Sequence, residues 1–571
     1  MLTALFSGCA TDDNAVSNVS DAQFETHFGA AASRDFIGQV VDTENHPLQG
    51  VAINIGNAQA QTDVNGVFMI DNANVREKFA YITAVKSGYV DGSRAMVPTS
   101  GRNQVKIMML PLTPLQSVAS GNASEVSMAD GTKINFDGDF KNSDGTDYSG
   151  DVSVSMFRLA PSNENLQYLM PGMLMGKNAD GQLRGLETLG MLSVELRGSG
   201  GQKLEIAEGH TADISIKIDD SQLATAPASI PLWSFDQAAG YWKQEGNATR
   251  EGNFYKATVK HFCWWNCDAQ FPTVTLTVNI KDASGNPLSD VRVDLVPAGG
   301  LPRSGISDSN GQISGLVPSG ETFTMQVFGS CGDAVANSTI GPFSTDTTLG
   351  DIVVSSAQAS SVQIDGTLAQ CDGSPVTEGY VLLSYAGQSF AATVSSGNFL
   401  FSTLACLSTT DSFTLTGFDY ANLQATGGIN YQFTAPQTHV GNLTACGAIS
   451  EFISYQSDND PPTYIFSNLG ASANGQAGNV PPSVISIYGY IDTVHKIFIN
   501  GDTADPGTYT FPDFQMGYGG IQPLATPVFT YHLVSVGPVG GYIDIDFSGY
   551  YTGSDGNTHT YVCTAHVLRD Q

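Results

Sequence analysis

At 571 residues the chain is several times longer than one hydrophobic core supports, so about four to six domains are expected. Apolar residues make up 41% of it and charged residues only 14%, which excludes a disordered acidic chain and long solvated helices. Fifty-five acidic against 24 basic residues give a formal charge of -31, which repels nucleic acid and anionic headgroups alike, and no nucleic-acid partner is expected.

The chain starts MLTALFSGCATDD, with Ser7 and Gly8 before Cys9 and Asp12 and Asp13 after it. This resembles a bacterial lipobox, whose cysteine is lipidated, although Phe6 stands where Leu is usual and no Lys or Arg precedes Cys9. An earlier start codon would supply the missing basic leader. Residues 1–9 therefore read as a truncated lipoprotein signal, with Cys9 as the lipidation site and the lipid as the only membrane contact. No apolar run is long enough for a bilayer-spanning helix. Residues 10–33, rich in Ala, Ser, Asn and Asp, read as a flexible linker.

From there on, apolar and polar residues alternate in short runs such as VAINI (51–55), DVSVSMF (151–157), TVTLTVNI (273–280) and YIDIDFSGYY (542–551). Each is bounded by Gly, Asn, Asp or Pro, which is strand periodicity and predicts an all-β chain. An internal repeat divides it. Its first copy, in 34–113, carries Asp42, Pro47, Leu48 and Val51, then Asp63, Asn65, Gly66 and Phe68. Its second, in 269–357, carries Asp282, Pro287, Leu288 and Val291, then Asp308, Asn310 and Gly311. A divergent third, in 358–447, keeps Gly373, Pro375, Val376, Gly397 and Phe399. In each unit a strand ends in a polar turn, Pro fixes φ, and the first two units then use Asp-x-Asn-Gly to turn tightly into the next strand.

These residues resemble the carboxypeptidase regulatory-like domain, a transthyretin-like sandwich, which implies seven strands per module; the family name does not imply peptidase activity. Residues 114–268 form a different β-rich domain marked by MPG (170–172), IPLWSFDQAAGYWKQEG (230–246) and KHFCWWNCD (260–268). That pattern resembles a segment following the regulatory-like module in large bacterial surface lipoproteins of the Bacteroidota type and in cartilage intermediate layer protein. It implies a surface or matrix role. Residues 448–571 read as a last β-domain ending in a hairpin turned at SDGN. The expected architecture is a tandem of transthyretin-like and immunoglobulin-like β-sandwiches in an elongated multidomain chain.

Chemistry is sparse. No nucleophile elbow, HExxH helix, P-loop or dinucleotide turn occurs, so no enzyme, cofactor or metal site is expected. The nearest zinc-like spacing, His210 and Asp213, lacks a third ligand. Acidic turns at Asp63, Asp308 and Asp555 and the run 137–151 read as turn chemistry rather than calcium sites. Besides Cys9, the seven cysteines all fall from residue 263 onward, and their wide spacing suits disulfides. Cys371 with Cys446 or Cys406 is the preferred bridge, because the three bracket one module. Cys331, Cys263 and Cys267 are the other candidates. All four tryptophans, Trp233, Trp242, Trp264 and Trp265, fall in the second domain. Adjacent Trp264 and Trp265 must point to opposite faces of a strand, so the reading weighs an exposed sugar-stacking ring against core packing with an interdomain contact. The functional expectation is a non-enzymatic outer-membrane, cell-surface or secreted protein for adhesion or extracellular ligand binding, its partner a glycan or a protein. The alternatives are a carbohydrate-binding accessory to an uptake system and a structural envelope or matrix protein.

Overall fold

A computed structural model of the chain describes residues 19–298, 300–330, 332–355, 360–385, 388–405, 412–422, 424–434, 437–448, 451–458, 463–465, 468–473, 484–490, 495–519, 521–539 and 541–570. Almost all of its regular structure is strand, interrupted by a few single-turn helices. The strands group into two compact units. One holds Met1–Pro47, Ala52–Ala60 and Phe68–Cys446; the other holds Leu48–Val51, Gln61–Val67 and Gly447–Gln571.

The three repeat copies share one plan, although the larger sheet of the third has six strands. In the first, a three-stranded sheet (Val67–Arg76, Ala31–Val41, Arg102–Met108) accompanies a four-stranded one (Ala58–Gln61, Ala52–Ile55, Ala80–Val85, Gly92–Met96). The second copy repeats the 3 + 4 arrangement with Thr273–Asp282 as the central strand of the smaller sheet. In every copy the first strand pairs in parallel with the last, Ala31–Val41 with Arg102–Met108, Thr273–Asp282 with Thr347–Val354, and Ser360–Gln370 with Gln437–Ala445. Burial along Thr273–Asp282 alternates residue by residue, as a strand with one face in a core requires.

The repeated Asp is a turn-former. The Asp42 carboxylate accepts the Glu44 and His46 amides at 2.8 and 2.9 Å, and that of Asp282 accepts those of Ser284 and Asn286 at 2.8 Å each. The following Pro then re-enters the sheet by bridges from Val41 to Pro47, Lys281 to Pro287 and Ala369 to Pro375. At the second turn Asp308 accepts the Asn310 and Gln312 amides, and Gly311 adopts φ +74°. A Cβ there would lie 2.5 Å from the Ile280 carbonyl, so Gly is required on both grounds.

Residues 20–33, expected to be part of a flexible linker, are folded. Ser20 caps the helical turn Asp21–Phe24, and Phe24 and Phe28 are 0% and 5% exposed. Small polar residues suggested a linker, but the two Phe side chains outweigh them. They pack with Phe79 of the first module and Tyr241 of the second domain, while Asp21 pairs with Lys177 and Lys243 at 3.0 and 2.8 Å.

The second domain is built on one eleven-stranded sheet. Its long strand Leu183–Gly198 is buried almost continuously, because the sheet has a core on each face. One core is its own. The other is completed by Val41, Val90, Met108 and Leu110 of the first module.

The second unit's C-terminal part has a six-stranded sheet and a four-stranded sheet around one core of Ile, Phe and Tyr side chains. Strands Tyr542–Thr552 and Thr558–Leu568 pair along their full length, and the Asp555 carboxylate accepts the Asn557 amide in the turn between them.

Candidate functional site

The tryptophans offer no sugar platform. Trp233 and Trp242 are 0% exposed, Trp265 1% and Trp264 3%. The strand Trp264–Phe271 sends Trp265 into the second domain's own core and Trp264 into the core shared with the first module. The two rings thus point to opposite faces, but the outer face is covered by a neighbouring module instead of water. Trp233 donates its ring N–H to the Asp268 carbonyl at 3.3 Å and Trp265 to that of His261 at 3.2 Å.

Cys371 and Cys446 form a disulfide. Cys263 and Cys267, candidates for bridging, are buried and in no disulfide, as is Cys563. Both sit in the strand region of the double core, where burial pushes the Cys267 thiol far up from its ordinary range. Cys9, Cys331 and Cys406 lie outside the described residues. His210 and Asp213 do not converge: His210 Nδ1 meets Asp137 at 3.0 Å, whereas Asp213 accepts the Thr258 hydroxyl at 2.6 Å.

No motif in the sequence pairs a nucleophile with a base, yet the fold assembles such a pair. Cys263 Sγ lies 3.9 Å from His261 Nδ1, and His261 Nε2 lies 3.0 Å from Glu245. The signal was the short spacing of His261 and Cys263, with Glu245 supplied by another strand. Exposures of 2% for Cys263 and 4% for His261 leave no room for a substrate, and the group acts as a polar brace inside the sheet.

An accessible site occurs elsewhere in the first unit. A cavity of about 440 Å³ opens where the first module, the second domain and the second repeat copy meet. That volume suits a small ligand. Its walls are mostly apolar, with Met96, Leu174, Leu186, Leu295 and Ile313 among them. Four cations join them, Arg94 and Lys106 from the first module and Arg292 and Arg303 from the repeat copy.

These cations are not equivalent. Arg292 is neutralised by a two-pronged pair with buried Asp294 at 2.9 and 2.6 Å. Arg303 stacks over Phe271, 4.7 Å from the ring centre, and its Nε has no partner. Lys106 reaches Asn45 at 3.2 Å and lies 5.2 Å over the Tyr168 ring. Arg94, deep in the body but open to the cavity, touches only the Gly172 carbonyl at 3.5 Å, and among the described residues no carboxylate pairs with it. Burial pulls its guanidinium down to about 10, still fully charged at neutral pH. Asp308 lines the same cavity but is committed: its second oxygen accepts the Thr99 hydroxyl at 2.7 Å and the Gly101 amide at 2.8 Å, latching the first module to the repeat copy. An apolar chamber with an under-compensated guanidinium can hold an anionic head on an apolar body.

No protein-family profile matches the chain. Cartilage intermediate layer protein 2 of Mus musculus is 26% identical over 236 residues, 39% of this chain and 20% of that protein. The Homo sapiens protein is 29% identical over 119 residues, 20% of this chain and 10% of that one. The chain thus spans a fifth or less of the length of these curated relatives. Among solved structures, the Bacillus anthracis TIE protein matches with a TM-score of 0.14 at 7% identity, covering 73% of this chain and 50% of that one. The major pilin subunit of Bacillus cereus gives 0.10 at 10% identity, covering 73% and 100%. At such scores the matches carry no functional argument, and the β-sandwich architecture rests on the hydrogen-bonded sheets themselves.

Proposed function

We propose that the chain is a non-enzymatic surface or secreted protein whose junction cavity binds a small amphipathic anion from the extracellular space. The observation that carries this is Arg94, a deep guanidinium without a carboxylate partner that faces an apolar chamber of about 440 Å³. The Cys371–Cys446 bridge supports an oxidising compartment. Partial likeness to proteins named for a cartilage layer fits an extracellular setting. A lipid at Cys9 is the tether in this reading; radiolabelled palmitate should enter the protein expressed from its full reading frame, and Cys9→Ser should abolish the label.

Decanoate and decanol, equal in chain length and different in charge, test the cavity by calorimetric titration. Decanoate should bind about tenfold more tightly, since a charge-assisted hydrogen bond contributes about 1.5 to 3 kcal/mol. Arg94→Gln should erase that preference while leaving weak binding of both. Equal binding of the two by the unaltered protein would remove the anion from the proposal.

A further inference from the structure

The four-stranded sheet of the C-terminal domain carries an ordered outer face that nothing above uses. Its strands are Gly470–Ser472, Ile485–Tyr490, His495–Gly501 and Phe514–Gly519. Ile485, Ile487, Ile497 and Ile499 fill the core, so the residues between them project outward. The register aligns two rows across all four strands. One is Gly470, Tyr488, Phe498 and Gly517; the other is Ser472, Ser486, Asn500 and Gln515.

The first row is an aromatic shelf. Tyr488 and Phe498 are 40% and 39% exposed, and their rings are 26° from parallel with centroids 6.3 Å apart. Tyr490, on the same face, is 44% exposed. The shelf is open at its ends because its flanking positions are glycines. Tyr488 lies across Gly470, where a Cβ would come within 2.6 Å of the ring, while a Cβ on Gly517 would meet only the Phe498 Cβ at 4.0 Å. The second row is neutral and polar throughout, and no side chain in it is engaged with another described residue. Two residues along a strand separate the rows by roughly 7 Å. That spacing sets a line of amide and hydroxyl groups beside a line of ring faces.

We propose that this face binds a neutral glycan, with pyranose rings lying against Tyr488 and Phe498 and their hydroxyls meeting Ser486, Asn500 and Gln515. The C–H face of a sugar matches an aromatic face, and unengaged amides and hydroxyls match its hydroxyl rim. Charge favours a neutral occupant. In a chain of net charge -31, neither row carries an ionised side chain: Lys496 lies on the ladder outside both, Asp502 and Asp513 lie beyond the strand ends, and Asp570 lies at the outer edge beside the Ala471–Arg569 bridge. Gln515 also borders an open cleft of about 540 Å³ with exposed Phe511 and Leu524, so the polar row runs on into a groove suited to a chain longer than one sugar.

Affinity electrophoresis of the full chain through gels containing laminarin, hydroxyethyl cellulose, galactomannan, xylan or the anionic polygalacturonate tests this. At least one neutral polysaccharide should retard the protein, and polygalacturonate should not. Tyr488→Ala and Phe498→Ala should each weaken retardation at least tenfold, while circular dichroism still shows the folded sheet, because both side chains project from its outer face and neither fills the core. Asn500→Ala should weaken it less. Arg94→Gln should leave it intact, which keeps this site distinct from the cavity. Retardation by no neutral polysaccharide, or retardation equal in the aromatic variants, would overturn the proposal. Loss of self-association in those variants without any glycan effect would also overturn it, assigning the face to a second copy of the chain.

Discussion

Asp268 ends a run of residues whose neighbours are all buried, and it is itself 0% exposed. One carboxylate oxygen accepts the Asn266 side-chain amide at 2.6 Å; the other has no partner. Burial, and secondarily the charge of Glu187, hold the carboxyl well above its ordinary range, so the folded chain keeps this proton to higher pH than the unfolded chain does. An unfolded chain ionises the same group near pH 4. Its contribution therefore falls as pH rises above that value, by up to about 1.4 kcal/mol per pH unit, until the folded group also ionises. Asp268→Asn should lose this dependence. Urea unfolding followed by tryptophan fluorescence isolates the domain, because all four tryptophans lie in it. The variant's stability relative to the parent should be greater at pH 7.5 than at pH 4.5; a pH-independent difference would show that Asp268 is ionised in the fold.

At the scale of elements, the repeat was legible because its turns are chemical. Asp42, Asp282 and Asp308 each bind amides two and four residues ahead, which fixes both spacing and residue type in the sequence. The parallel pairing of first and last strands in each copy was not legible, since those strands are far apart in sequence and share no local signal. The Cys371–Cys446 bridge closes this pairing in the third copy, joining the chain just past Gln370 to the residue after Ala445. Burial on two faces was equally hidden. Nothing within 183–198 or 264–271 says that Val90 and Leu110 will cover a sheet more than fifty residues away, so the tryptophans could be placed on opposite faces but not both indoors. The cavity escaped for the same reason: Arg94, Tyr168 and Arg303 come from three modules, which the shared core and the Asp308 latch bring together. The aromatic row was missed because Tyr488 and Phe498 look locally like any strand residues until register sets them side by side.

For the whole molecule, the shared core decides whether the modules are separable. Val41, Val90, Met108 and Leu110 of the first module are each 7% exposed or less, against Trp233, Trp242 and Trp264 of the second domain. Burying each contributes about 2 kcal/mol, so together they supply roughly 8 kcal/mol. A small domain's entire net stability is about 5 to 15 kcal/mol. The interface also includes the Tyr81 hydroxyl, which donates to the Gln237 carbonyl at 2.9 Å, and the Tyr81 ring, which packs so tightly on Gly240 that a Cβ there would come within 2.5 Å of it. Residues 19–268 should therefore behave as one cooperative piece. Expressed alone, 19–268 should melt in a single transition, while 34–113 should bind an apolar dye and aggregate, and calorimetry with size-exclusion chromatography compares them directly. Gly240→Val in the longer piece should lower its melting temperature by several degrees, because φ +81° strains a β-branched residue there and because the added Cβ displaces the Tyr81 ring. A stable, monomeric 34–113 would mean that its own seven strands suffice and that the covered tryptophans, not the first module, depend on the contact.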